Sequence, residues 1–103
     1  MPAHRDPVVW ELGPAIGETD PAWLCAQLRA LVAGHAGITV VGDLAGLTAT
    51  GLPVVDVLAR LQLTARRLGC RLVLAHAGAE LRELLALTSL DRVLPLADEL
   101  GLR

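Results

Sequence analysis

The side chains in this sequence that could do chemistry are few and scattered. His4, His35, His76, Cys25 and Cys70 are the soft metal-ligand types, but they share no spacing that a zinc site would use. Ser89 is the sole serine, and no G-x-S-x-G surrounds it to make a nucleophile elbow. All nine positive charges are arginines, and lysine is absent. That excludes the P-loop lysine, the strand lysine of a protein kinase and Schiff-base catalysis. Asp43 and His76 each follow an apolar run, where a strand meets the next helix and α/β sheets usually place function. Without a partner group of known spacing, Asp43 reads as a cap at the start of a loop and His76 as a cap or loop residue. Arg60, Arg66, Arg67 and Arg71 read as a solvated face, with Asp56 and Arg60 paired at i, i+4. The expectation is a protein that is not an enzyme and takes neither cofactor nor metal.

The scaffold for these residues is bounded by composition. The chain has 103 residues, 53% apolar but only 2% aromatic, with a net charge of -2. This length suits one domain with an ordinary core. The charge gives no footprint for nucleic acid, and two tryptophans are too few for base stacking. No apolar run approaches the roughly 18 residues of a membrane span. The start, Met-Pro-Ala-His-Arg-Asp-Pro, lacks the apolar core of a signal peptide. With two widely separated cysteines, this leads us to expect a reduced, cytoplasmic chain.

Periodicity orders the elements. Residues 1–7 read as a loose arm. Val8, Trp10 and Leu12 alternate with Val9 and Glu11, a strand ended by Gly13-Pro14. Asp20-Pro21 opens a helix whose stripe is Leu24, Leu28, Leu31 and Val32, closed by Gly34. Ile38 to Val41 lacks polar alternation, as a strand covered on both faces does. Gly42 to Gly51 reads as loop, and Pro53 opens a second helix running to about Leu68. Arg71 to His76 is a third strand, and Ala79 to about Leu87 a third helix with Leu81, Leu84, Leu85 and Thr88 inward. Val93 to Leu96 reads as a last short strand, and 97–103 as a tail. The alternation implies crossovers and a mostly parallel sheet.

Four places in this order resemble a STAS domain, the module of sulphate transporters and anti-sigma-factor antagonists. They are Glu11-Leu12-Gly13-Pro14; Val40-Val41-Gly42-Asp43-Leu44-Ala45-Gly46-Leu47; Leu58-Ala59-Arg60-Leu61 with Leu68-Gly69-Cys70-Arg71-Leu72; and Ala79-Glu80-Leu81-Arg82-Glu83-Leu84-Leu85 with Ser89-Leu90. Ser89 stands where the family usually has glycine. The resemblance covers about Val8 to Leu96. It implies a single α/β domain (core 8–96) with four to five mostly parallel strands and three to four helices. The family's hallmark is Asp-Ser-Ser-Gly before the second helix, where a partner kinase phosphorylates a hydroxyl. Aligning on the closing glycine puts that motif on Thr48-Ala49-Thr50-Gly51; counting back from Gly69 puts it on Thr50-Gly51-Leu52-Pro53. Both alignments remove the usual acceptor, and the first leaves Thr50 beside it. The motif is degenerate.

The second helix is apolar on two faces. At about 100° per residue, Val54, Val57, Leu58, Leu61, Ala65 and Leu68 form the core side. Leu52, Val55, Ala59 and Leu63 fall nearly opposite, rimmed by Asp56, Arg60, Arg66 and Arg67. Such a second face is either covered within the chain or offered to a partner. In the resembled family this helix and its preceding loop face the partner. The expected partner is therefore an anti-sigma kinase-like regulator or, alternatively, the ATPase side of a bacterial ABC (lipid) transporter, with a homodimer as a further use of the stripe. Trp23 lies off its own helix's stripe and is expected to pack on a neighbouring loop.

Overall fold

A computed structural model describes residues 7–96. The expected arm, with His4, and the tail at 97–103 fall outside the described residues, apart from Pro7. Three strands, β1 (Val8–Glu11), β2 (Thr39–Asp43) and β3 (Arg71–Ala75), alternate with three helices, α1 (Pro21–Val32), α2 (Leu52–Arg67) and α3 (Ala79–Leu87). The strands are all parallel in the order β1-β2-β3, with Val8, Val40 and Leu72 in one register row and Glu11, Asp43 and Ala75 in another. Each crossover is a helix, which is how parallel neighbours are joined. Short 3-10 turns, Gly13–Ala15 and Leu90–Arg92, complete the described elements.

Among the described residues the sheet has three strands, and the expected four to five are not reached there. Val93 to Leu96 does not form the expected strand: Leu74 N–H donates to Pro95 O at 2.9 Å and Leu96 bridges Leu74 in parallel, and the pairing goes no further among the described residues. Pro95 has no N–H to give to a ladder, which accounts for the single contact.

Helix α1 begins as its sequence demands: Asp20 accepts from Ala22 N–H at 2.8 Å, and Pro21 supplies the pre-set first turn. Its Leu24, Leu28 and Val32 join Val54, Leu58 and Leu61 of α2, Leu81 and Leu85 of α3, and Val40, Leu72 and Leu74 of the sheet in one core. The helices thus cover one sheet face. On the other, Val41 and Val73 are buried together, so β2 is covered on both sides as its sequence implied. Thr88 departs from the expected inward stripe of α3. It is exposed, and its hydroxyl donates back to Leu84 O at 2.8 Å. Trp23 is 54% exposed rather than packed under a loop.

Two buried polar residues on α2 escape a purely apolar pattern. Gln62 donates its amide to Leu72 O and Val93 O, pinning the segment after α3 to the core. Thr64 donates to Arg60 O at 3.0 Å and lies 3.4 Å from Cys25 Sγ, on the flank towards α1. Both cysteines are free thiols, Cys25 half-buried and Cys70 buried. No helix among the described residues is long and apolar enough to cross a membrane.

Candidate functional site

The loop from Asp43 to Gly51 sits at the carboxyl end of the parallel sheet, held by backbone and side-chain ties at its start. Leu44 N–H donates to Ala75 O at 2.9 Å, and Leu12 N–H donates to Asp43 O at 3.0 Å, so both neighbouring strands grip the same turn. Asp43 Oδ1 accepts from Ala45 N–H at 2.9 Å, the loop-start cap that its position implied. The same oxygen meets His76 Nδ1 at 2.8 Å. The Ala45 amide first, and the His76 ring second, hold the Asp43 carboxyl below the ordinary aspartate value. His76 reaches this position from a left-handed backbone (φ 58°), uncommon for a residue with a side chain.

The 3-10 turn after β1 supports the loop from beneath. A Cβ on Gly13 would stand 2.5 Å from Ala45 O and 2.7 Å from Leu44 C, so only glycine admits this approach. The far end is equally constrained. Gly51 caps α2 at φ 84°, ψ -169°, a conformation that is essentially glycine's alone, and Pro53 follows in the first turn. Between these anchors Thr48 and Thr50 are exposed, and Ala49 and Gly51 are half-exposed. The degenerate motif is therefore accessible, with two threonine hydroxyls and no serine.

The outward stripe of α2 is narrower than a helical wheel suggests. Leu52 and Leu63 are 60% and 50% exposed, and Asp56 and Arg60 are exposed and paired, Oδ2 to Nε, at 3.1 Å. Ala59 is half-buried. Val55 is 3% exposed and belongs to the core, which removes it from the expected surface. The reason is geometric. Val55 lies on the same flank as Gln62, about one heptad away, and Gln62 reaches the segment after α3; Thr64, on the other flank, meets α1. With both flanks taken, only the arc through Leu52, Asp56, Ala59, Arg60 and Leu63 remains.

A cavity of about 260 Å³ opens between the loop, the start of α2 and the start of α3. Leu44, Leu47, Val54, Leu81 and Leu84 supply its apolar lining; Thr50, His76 and Glu80 supply polar groups. Sequence reasoning did not assemble this site. Thr50 and His76 stand apart in the sequence, and Glu80 stands out there only as part of the third-helix stretch.

A family model described as "Mlab, STAS domain" matches residues 5–96, nearly the whole chain. The chain belongs to the STAS family. No curated protein and no solved structure gives a significant match. Membership brings a general role, protein interaction or regulation. In this STAS domain Ser89 takes the left-handed conformation, φ 60°, just past α3, which explains why glycine suits that position in the family pattern.

Proposed function

We propose that this STAS domain is a non-catalytic docking module that binds a regulatory protein through the Asp43 to Gly51 loop and the outward arc of α2, much as an anti-sigma-factor antagonist does, without the usual phospho-switch. The observation that carries this reading is the pairing of exposed Leu52 and Leu63 with the exposed, glycine-bounded loop on one helix and its approach. Two large apolar side chains at a charged rim match the make-up of a protein interface. The loop offers Ala49 and Gly51 where the family's acceptor hydroxyl would stand, so binding is not released by phosphate at that position.

A second reading follows from the same degeneracy. A subunit held permanently on the ATPase of a bacterial ABC lipid-transport system needs no release switch, and a loop without an acceptor suits it. Both readings place the module in the cytoplasm.

The test begins with affinity capture of the native protein and identification of its partner by mass spectrometry. Binding of the purified partner is then measured for Leu52→Asp and Leu63→Asp. Both variants should stay folded and lose most affinity. A folded double variant that binds as wild type sinks the docking surface. A kinase-like regulator as partner supports the first reading, and a transporter ATPase the second.

A further inference from the structure

The cavity beside the docking loop has a chemistry of its own. Its interior is aliphatic, from Leu44, Leu47, Val54 and Leu81, while its polar lining is Thr50, His76 and Glu80. Those three groups are biased towards accepting hydrogen bonds. Asp43, held ionised, can only accept from His76, so Nδ1 carries the proton and the free ring nitrogen, Nε2, is an acceptor in the neutral imidazole. Glu80 is a carboxylate, and the Thr50 hydroxyl accepts as well as donates.

Charge favours the same kind of guest. The caps of α2 and α3, Gly51 and Gly78, both line the cavity, and neither helix has a side-chain cap. Each helix start contributes about half a positive charge. Glu80, in the lining, contributes a full negative charge, and Asp43, which does not line the cavity but meets His76 Nδ1 at 2.8 Å, contributes a second. An anion would gain from the amides and lose more to the two carboxylates.

We infer that this cavity is a socket for one arginine side chain of the docked partner. The three methylenes of the guest lie along the leucine and valine lining, and its planar guanidinium meets Glu80, Thr50 Oγ1 and His76 Nε2 at the mouth. Arginine suits three separated acceptors better than lysine because its donors are spread across a fixed plane. The inference rests on the docking reading, since the socket opens beside the Thr50 to Val54 segment of that surface.

The experiment uses the free, full chain. Amide shifts are followed by NMR during titration with n-butylguanidinium, the arginine side-chain mimic, and in parallel with n-pentanoate and 1-pentanol. Butylguanidinium should move the amides of Thr50, His76, Glu80 and Leu81 saturably and bind more tightly than the other two. Glu80→Gln should weaken it by up to about fivefold, the upper end for an exposed ion pair, and leave pentanol unchanged. Thr50→Val, outside both helices, is a second variant that should also weaken it. Tighter binding of pentanoate, equal binding of pentanol, or no saturable shifts at these amides overturns the socket. Because no partner is present, such a failure leaves the docking surface standing. Partner binding that survives Leu52→Asp and Leu63→Asp overturns that surface whatever the titration shows.

Discussion

Two faces of one helix behave differently although both are apolar. On the inward face of α2, Val54, Leu58, Leu61 and Ala65 are buried against the sheet and the other helices. On the outward arc, Leu52 and Leu63 remain half or more exposed, separated by the Asp56–Arg60 pair and half-buried Ala59. A helical wheel gives the two stripes similar standing. What separates them is the neighbours: α1 takes one flank through Cys25 and Thr64, and the segment after α3 takes the other through Gln62. Apolar character on a helix therefore means core or exposed face according to which arcs the fold leaves open.

The largest effects should come from the inward side. Leu58→Ala removes a fully buried side chain and should lower unfolding free energy by about 2–5 kcal/mol, read by urea denaturation. Leu63→Ala, on the outward arc, should stay within about 0.5 kcal/mol of wild type. Val55 sharpens the boundary. Val55→Asp would bury an unpaired carboxylate and should leave the chain unfolded, so a folded variant would return Val55 to the outer surface and break the comparison.

Next in size are the glycines that shape the loop beside that surface. Gly51→Ala forces a side chain into a region reserved for glycine and should cost about 1–3 kcal/mol. Gly13→Ala drives a methyl into the Leu44 and Ala45 backbone and should cost a similar amount, about 1–3 kcal/mol. Neither residue belongs to the outward arc. If either variant keeps full stability yet loses partner binding, the loop has moved without strain, and the contrast between supported loop and open arc must be redrawn.

These expectations show what could be read from the chain. The alternation of strands and helices, the Asp20-Pro21 start of α1 and the inward stripe of α2 all follow from local pattern, and all are present. The Asp43–His76 contact was not legible. It joins residues 33 positions apart and depends on the register that sets Asp43 beside Ala75, which no local pattern specifies. The cavity was hidden for the same reason, since Thr50 comes beside His76 and Glu80 only once the β2-α2-β3 crossover is in place. The missing last strand has a different cause. Val93 to Leu96 is apolar enough to pair, but Pro95 interrupts the donors, and apolar character alone did not weigh that loss.

Acid should expose a smaller difference. The Asp43 carboxyl sits below its ordinary value in the fold because Ala45 N–H and His76 favour its ionised form. Its contribution is therefore fully present above the unfolded value, about pH 4, and is lost as pH falls through the lower folded value. Asp43→Asn keeps an acceptor for Ala45 but removes the charge. The stability gap between wild type and this variant should be widest above about pH 4 and close as the solution becomes more acidic. A gap that widened in acid would show that Asp43 is not held by these donors, and the loop would lose one of its anchors.

The smallest effect belongs to the outward arc itself. Asp56 precedes Arg60 by one turn, the favourable order for an ion pair on a helix, and both side chains are well exposed. Asp56→Ala should therefore cost only about 0.3–0.5 kcal/mol in the free protein. The difference should vanish near 1 M salt, where the screening length falls to about 3 Å. A cost above about 1 kcal/mol that resists salt would mean the pair is shielded from water before any partner arrives. The arc would then be covered from within the chain, and Leu52 and Leu63 would rank with the core instead of the proposed docking surface. Salt dependence at this one pair thus tests, without any partner in hand, whether the outer face of α2 is open.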